Sequence, residues 1–540
     1  MREPDARRGH DVVVVGGGSA GAVVAARLSE DPGRQVLLLE AGAAPRSAEA
    51  YPAEVRDATT IAASAPGSTH VWSYAAELAP GRPYTVARGR ILGGSSAVNG
   101  GYFIRPRPAD MTGWAAAGGP AWSWDAALPV MRALETDLDH GETALHGGSG
   151  PMPVSRAPQD HPASEAFTLA ALEAGHPLEH DKNAPVAPGV GAVPQNIVGG
   201  ERRSTGQQYV LPALSRANLQ VRGGTRVLRV VVDSGSVRGV EVLTGGRVEL
   251  IHAGEVVLAA GGVATPHLLM LSGIGPADHL RAHGVDVVAD LPGVGTDFSD
   301  HADLVVLWRA STALPPTRRG GPFPTALNFG SGTGAPSGDL ELLLSVQPMS
   351  GLFPGSGMPD RMPLILGLQR QEARGRIRLS SADPLVAPRI AYGYLASSSD
   401  RALARAGLRS VGDLLRTRAW AAISDGWSDL DRATLGDDAA LDAWALAHLG
   451  TAIHLSGSAR MGSASDPSAV ADGSGRVRGV EGLRIADTSL LPTVPTRGPA
   501  ASAVLVGELV SRSLRGDDAA PTEFDRTRTT LPDREEVPFG

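Results

Sequence analysis

The 540-residue chain has no cysteine. That excludes disulfides, thiolate metal sites and cysteine nucleophiles, and it suits a reducing compartment, so a cytoplasmic location is expected. Lysine is nearly absent: Lys182 is the only one, and arginine supplies the remaining positive charge. The net charge of -8 argues against a nucleic-acid binder. Aromatic residues make up only 4%, which disfavours an extensive sugar-stacking platform. No apolar run approaches the roughly 18 to 20 residues needed to span a bilayer. A peripheral membrane contact stays compatible. The first ten residues (MREPDARRGH) are charged, and no secretory leader is expected from them. What is present is ordinary globular material, with 42% hydrophobic and 20% charged residues. The length exceeds one core, so two domains or one domain with a large insertion is expected.

Residues Asp11 to Val15 (DVVVV) form an apolar run ending in Gly16-Gly17-Gly18. A helical pattern follows from Ala20 to Ser29, and Gln35 to Leu39 reads as a second buried strand closing with Glu40. Two nearly all-apolar strands around a helix are the mark of a covered parallel βαβ unit. Gly16 to Gly21 satisfies G-x-G-x-x-G in that setting: Gly16 permits the turn, Gly18 lets a pyrophosphate approach the backbone, and Gly21 lets helix and strand pack. The helix N-terminus offers free N–H groups to phosphates. Glu40, about twenty residues on, can bind ribose hydroxyls and discourages a 2′-phosphate. The fingerprint predicts a dinucleotide without distinguishing FAD from NAD.

Further along, Val55 to Gly101 reads as loop-rich and Gly141 to Pro158 as an exposed connection. Val227 to Val232 with Val237 to Leu243 reads as a hairpin, and Val248 to Ala260 as a strand. Ser311 to Ser337 looks like a long loop. It leads to strands at Leu340 to Val346, Leu364 to Leu368 and Arg376 to Leu379, and to helices at Ser399 to Thr417 and Asp438 to Leu449.

Four blocks then resemble the glucose–methanol–choline (GMC) oxidoreductases. Gly89 to Asn99 (GRILGGSSAVN) with Phe103-Ile104-Arg105-Pro106 resembles the first family signature, and Thr265 to Gly275 (TPHLLMLSGIG) the second. His454 to Gly462 (HLSGSARMG) and Gly482 to Pro492 (GLRIADTSLLP) resemble the C-terminal half. The resemblance implies an α/β fold, with a Rossmann-like FAD-binding domain and an inserted α+β substrate domain. The expected division is 8–160, 205–305 and 450–516 for the FAD-binding parts, 161–204 and 306–449 for the substrate domain, and 517–540 as a disordered tail. It implies that Glu40 binds the adenosine ribose, that Gly93, Gly94, Ser95 and Asn99 line the pyrophosphate and flavin ring, that Val227 faces the adenine, and that Asp487 lies near the ribityl–pyrophosphate part. Ser19, Ala20, Ala41, Arg90, Gly100 and Pro499 join the expected cofactor contacts. Val98 stands where some relatives carry a His bonded to FAD, so noncovalent FAD is expected. No metal is expected. Gly262, in the second signature, is a mild departure.

The resemblance also implies oxidation of a small-molecule alcohol, with a base taking the O–H proton and the flavin taking the hydride. His454 matches the family's catalytic His. His301 reads as structural, His267 as packed or capping, and His146, His161 and His176 as surface-like residues without a role. The family's second partner, an Asn or His, falls on Gly498, which has no side chain. Either Arg497 or a water supports the alcohol oxygen, or the inserted domain supplies the group, or the enzyme has left alcohol chemistry. Arg497 reads equally well as a structural residue. HLSGSARMG with PTVPTRGP and its Arg-Gly-Pro triplet is similar to a bacterial subgroup, the mycofactocin-associated dehydrogenases, whose likeness implies a reduced redox-cofactor glycoside as donor and a respiratory acceptor; for the family at large, oxygen, a quinone or a respiratory component all stay open. A lyase on the same frame and a noncatalytic flavin protein are the alternatives.

Overall fold

The computed structural model describes residues 9–517, except 318–319, 333–337, 428–429 and the side chain of Trp427. The expected tail from 518 onward lies outside the described residues. Three sheets organise the rest. The first orders its strands Leu219–Arg222, Val36–Leu39, His10–Val15, Arg247–Leu258, Ser236–Thr244 and Thr225–Asp233, with Leu483–Ile485 also pairing Arg247–Leu258. Its first four strands run parallel, and Leu483–Ile485 joins in parallel. Val12 to Val15 and Val36 to Leu39 are buried, as parallel strands covered on both faces must be. The helix Gly21–Leu28 packs on this sheet and against the C-terminal helix Ala500–Arg515. Gly507 permits that approach, since a Cβ there would sit 2.8 Å from the Ala20 carbonyl oxygen. Arg27 and Glu508 lock the pair at 2.9 Å.

The second sheet is antiparallel, ordered Ser424–Trp427, Ala302–Ala310, Met362–Leu368, Leu340–Leu344, Thr325–Phe329 and Val190–Ala192, with Leu449–Thr451 also pairing Ala302–Ala310. One face buries Leu304, Leu342 and Leu366 and meets the helices Pro162–Glu173 and Ser398–Leu415. Its other face looks toward His454, as the sites below establish. The strand Ala302–Ala310 runs across the boundary expected at 305.

The third sheet corrects the reading of Val55 to Gly101 as loop-rich. Val71–Ala79 and Arg82–Gly89 form an antiparallel pair. They join Arg389–Ala391, Gly375–Arg378 and Thr296–Phe298 in one five-stranded sheet. The long loop expected at Ser311 to Ser337 contains the wholly buried strand Thr325–Phe329. Within Gly141 to Pro158, Met152–Arg156 pairs in parallel with Glu135–Asp137, so that connection is not simply exposed. Among the described residues, no helix is long and apolar enough to cross a membrane.

Candidate active site

The Gly16 turn opens an elongated cleft of about 360 Å³ between the first and third sheets. Gly16 has φ +100°, and a Cβ on it would lie 2.6 Å from the Ala259 carbonyl oxygen. Gly21 is required by the same turn, since its Cβ would lie 1.9 Å from the Gly16 carbonyl oxygen. Opposite, Gly94 (φ +53°) would bring a Cβ to 2.6 Å from the Gly18 α-carbon. Two bare backbones thus meet where phosphates can approach both. Of the residues expected to contact the cofactor, Gly16, Gly18, Ser19, Ala20, Glu40, Ala41, Gly94, Ser95, Val227 and Asp487 line this cleft. Gly21, Arg90, Gly93, Asn99, Gly100 and Pro499 do not line it directly. Arg90 stacks over Trp72, itself a lining residue, at 4.5 Å. Pro499 caps the C-terminal helix.

The acidic residues of the cleft are already engaged. Glu40 accepts from the Gly17 and Gly42 amides at 3.0 and 2.8 Å, and burial holds its carboxyl above the usual range. Asp487 accepts from the Gly261 amide and the Thr265 hydroxyl at 2.8 and 2.6 Å, pinning the N-terminus of the helix Gly261–Leu271. His267 also lines the cleft. It is buried with Nε2 unpartnered, and burial pushes its pKa down to about 4.

His454 lies where the segment after Leu449–Thr451 crosses the start of Ala302–Ala310. The Asp300 carboxylate accepts the backbone N–H of both His301 and His454, each at 2.7 Å. The two imidazoles then meet Nδ1 to Nδ1 at 3.0 Å with rings nearly perpendicular. His301, read from sequence as structural, is the direct partner of the candidate base. Burial, then the neighbouring His301 and Arg88, hold His454 well below its ordinary pKa. Burial likewise pushes His301 down to about 3. Both rings are therefore neutral near pH 7. The tautomer that leaves His454 Nε2 free to take a proton places hydrogen on Nδ1, which donates to His301. Gly262, the mild departure, is explained here: a Cβ on it would strike the Leu455 carbonyl oxygen at 2.7 Å.

At Gly498 a Cβ would lie 3.5 Å from His454 Cε1, so this backbone does face the base. It would also lie 2.9 Å from Tyr102 Cδ1. The Tyr102 ring occupies the space into which a partner at 498 would project. Its hydroxyl donates to Glu341 Oε2 at 2.6 Å, and Asn328 Nδ2 donates to the same oxygen at 2.9 Å. Asn328 Oδ1 accepts from Lys182 Nζ at 3.0 Å. Tyr102 and Glu341 were not found from sequence. The two glycines before Tyr102 and the uniqueness of Lys182 were the available signals.

Arg497, the sequence candidate for supporting the alcohol oxygen, is turned into a buried ion pair instead of an open site. It is 1% exposed and pairs with Glu179 at 2.7 Å, while donating to the Lys182 carbonyl. His146 also needs correction: it is 3% exposed. Its Nδ1 lies 3.2 Å from Glu135 and 3.0 Å from Asp137, and its Nε2 2.9 Å from Asp181. With Arg105 and Arg156 paired to the same carboxylates, the cluster balances its own charge.

The family models described as GMC oxidoreductase match residues 10–303 and 371–507. A GMC-type oxidoreductase from the thcA 5′ region of Rhodococcus erythropolis is 44% identical, covering 94% of this chain and 99% of that protein. The 5-(hydroxymethyl)furfural oxidase of a Methylovorus species is 33% identical, covering 93% and 98%. The crystal structure of pyridoxine 4-oxidase from Mesorbium loti superposes with a TM-score of 0.86 at 30% identity, covering 94% and 99%. By these matches the chain belongs to the GMC oxidoreductase family of FAD-dependent enzymes that oxidise the CH–OH group of alcohols.

Proposed function

We propose that the protein oxidises a small-molecule alcohol with His454 as the base. The observation that carries this reading is the His454–His301 contact, with both backbones held by Asp300 and His454 Nε2 left without a hydrogen bond. FAD fits the cleft, because Gly94 has no room for a side chain where it faces Gly18, leaving two bare backbones where a pyrophosphate must lie. Gly16, Gly18, Ser19, Ala20 and Gly94 would hold the phosphates, Glu40 and Ala41 the ribose, Val227 the adenine, and Ser95 the flavin end, with Asp487 beside the helix N-terminus that it fixes. Bound there, FAD supplies a hydride acceptor. Val98 has no nucleophilic atom, so the cofactor is held noncovalently.

His454 takes the alcohol O–H proton at Nε2, and His301 fixes the ring plane and tautomer through Nδ1. Tyr102 stands in the place of the absent second partner. The measurement is anaerobic stopped-flow reduction of the flavin by a panel of primary and secondary alcohols. His454→Ala should retain FAD and slow reduction by about a hundredfold or more. An unchanged rate removes the assignment.

A further inference from the structure

The second sheet carries a polar row that the proton transfer does not use. His301 stands one residue before the strand Ala302–Ala310 and Asp303 is its second residue, so the alternation of an extended chain puts the two on one face. Asp303 stands about 7 Å further along, at roughly 3.3 Å per residue. The register continues the row sideways: Asp303 opposes Gly367, Gly367 opposes Glu341, and Glu341 opposes Asn328. Glu341 is the carboxylate bonded to Tyr102, which ties the row to the Gly498–His454 pocket.

Three features show a ligand's place. Among the described residues no hydrogen bond or ion pair engages the Asp303 carboxylate. Gln369, on the same face as Gly367, is only 4% exposed, and its Oε1 has no partner. Gly367 sits inside a sheet without a positive φ. A Cβ on it would lie 2.7 Å from Gln369 Nε2 and 3.3 Å from Asp303 Oδ1, so the ends of these two side chains converge over the bare glycine. Glycine inside a strand weakens it and marks close approach by another group. One pleat further, Val305, Ile365 and Leu343 form an adjoining apolar row, each half-buried while the opposite face is closed.

We propose that Asp303, Gln369 and Glu341 around Gly367 form a specificity subsite for a hydrogen-bond donor close to the carbinol carbon, either a hydroxyl or an ammonium group, with the Val305–Ile365–Leu343 row receiving an apolar body. This rests on His454 marking where the alcohol reacts. Burial, with Asp300 and Glu341 beside it, raises the Asp303 carboxyl well above its ordinary range. A donor or cation relieves that repulsion, whereas an anionic substrate increases it.

The test is titration of the flavin absorbance in the FAD-loaded His454→Ala protein with 1-hexanol, 1,2-hexanediol and 2-amino-1-hexanol. The diol or the amino alcohol should bind up to about tenfold more tightly than hexanol, the scale of one additional hydrogen bond. Asp303→Leu, close in volume and without an acceptor oxygen, should collapse that ratio toward one. The ranking of diol against amino alcohol tells the two donors apart, and either order supports the subsite. Equal dissociation constants for all three, or a preference that survives Asp303→Leu, overturn it. Flavin reduction in the unaltered enzyme reports separately on the base. Selective binding without reduction removes the proposed function and leaves the subsite, and reduction with equal binding does the reverse.

Discussion

At position 498 a side chain and the Tyr102 ring compete for one volume. Gly498→Asn would restore the polar group that the family places here, yet its Cβ would meet Tyr102 Cδ1 at 2.9 Å. The single variant should therefore lose about 1–3 kcal/mol of stability from overpacking and slow flavin reduction. Adding Tyr102→Ala opens the volume, so the double variant should regain melting temperature and rate relative to the single. A Gly498→Asn protein as stable and active as the original would show that Tyr102 does not hold that space. The pH profile tests the base at the same scale. Burial, His301 and Arg88 lower the His454 pKa well below 6.5. The neutral ring that accepts a proton thus persists into acid, and the acid limb of the rate–pH profile should fall well below pH 6.5. A limb at or above that value means the titrating base is another group.

Between elements, side chains far apart in sequence fix how segments meet. Arg497 on the C-terminal segment reaches Glu179 at 2.7 Å, and Lys182 holds the other Glu179 oxygen at 2.7 Å. Arg497→Ala would leave a buried carboxylate short of a partner and should cost about 3–5 kcal/mol, read as a lower midpoint of denaturant unfolding. An unchanged midpoint would return Arg497 to the list of candidates for the chemistry. The His146 cluster ties the strands Glu135–Asp137 and Met152–Arg156 to the segment around Asp181. Burial alone would lower the His146 pKa, but its bonds to Asp137, Asp181 and Glu135 outweigh that and hold it at about 10. A raised folded pKa contributes stability below the unfolded value near 6.5 and loses it as pH rises through about 10. His146→Gln should therefore flatten the alkaline part of the stability–pH curve, and an identical slope in both proteins would contradict this. Such clusters were not legible in sequence, because Glu135, His146 and Asp181 have no periodicity that announces their meeting. The βαβ unit was legible, since apolar runs and glycine spacing are local signals. His454 was legible only through its motif. Its contact with His301 needed the crossing of two segments 153 residues apart. Tyr102 escaped notice because its role follows from a vacancy at Gly498.

Across the whole molecule, the cleft is assembled from separated stretches of chain: 15–41, 72–95, 225–271, 384–388 and 487–503 all contribute to its walls. A ligand seated there touches the first and third sheets together, so its binding free energy adds to the stability of the assembled fold rather than to one segment. At a free FAD concentration a hundredfold above the dissociation constant, that linkage is about 2.7 kcal/mol. Gly94 is the position at which to test this. Alanine there must adopt φ +53°, costing about 1–2 kcal/mol by the usual left-handed penalty. Its methyl group would also press on the Gly18 α-carbon at 2.6 Å, in the space where phosphates approach. The left-handed φ and the clash with the Gly18 backbone burden the apoprotein and the holoprotein alike, whereas loss of the cradle falls on the holoprotein alone. Gly94→Ala should thus lower the apoprotein melting temperature and abolish most of the rise that added FAD produces in the unaltered chain. Melting curves of both apoproteins, with and without FAD, separate the two effects. A full FAD-dependent rise in Gly94→Ala would mean that the phosphates lie elsewhere in the cleft.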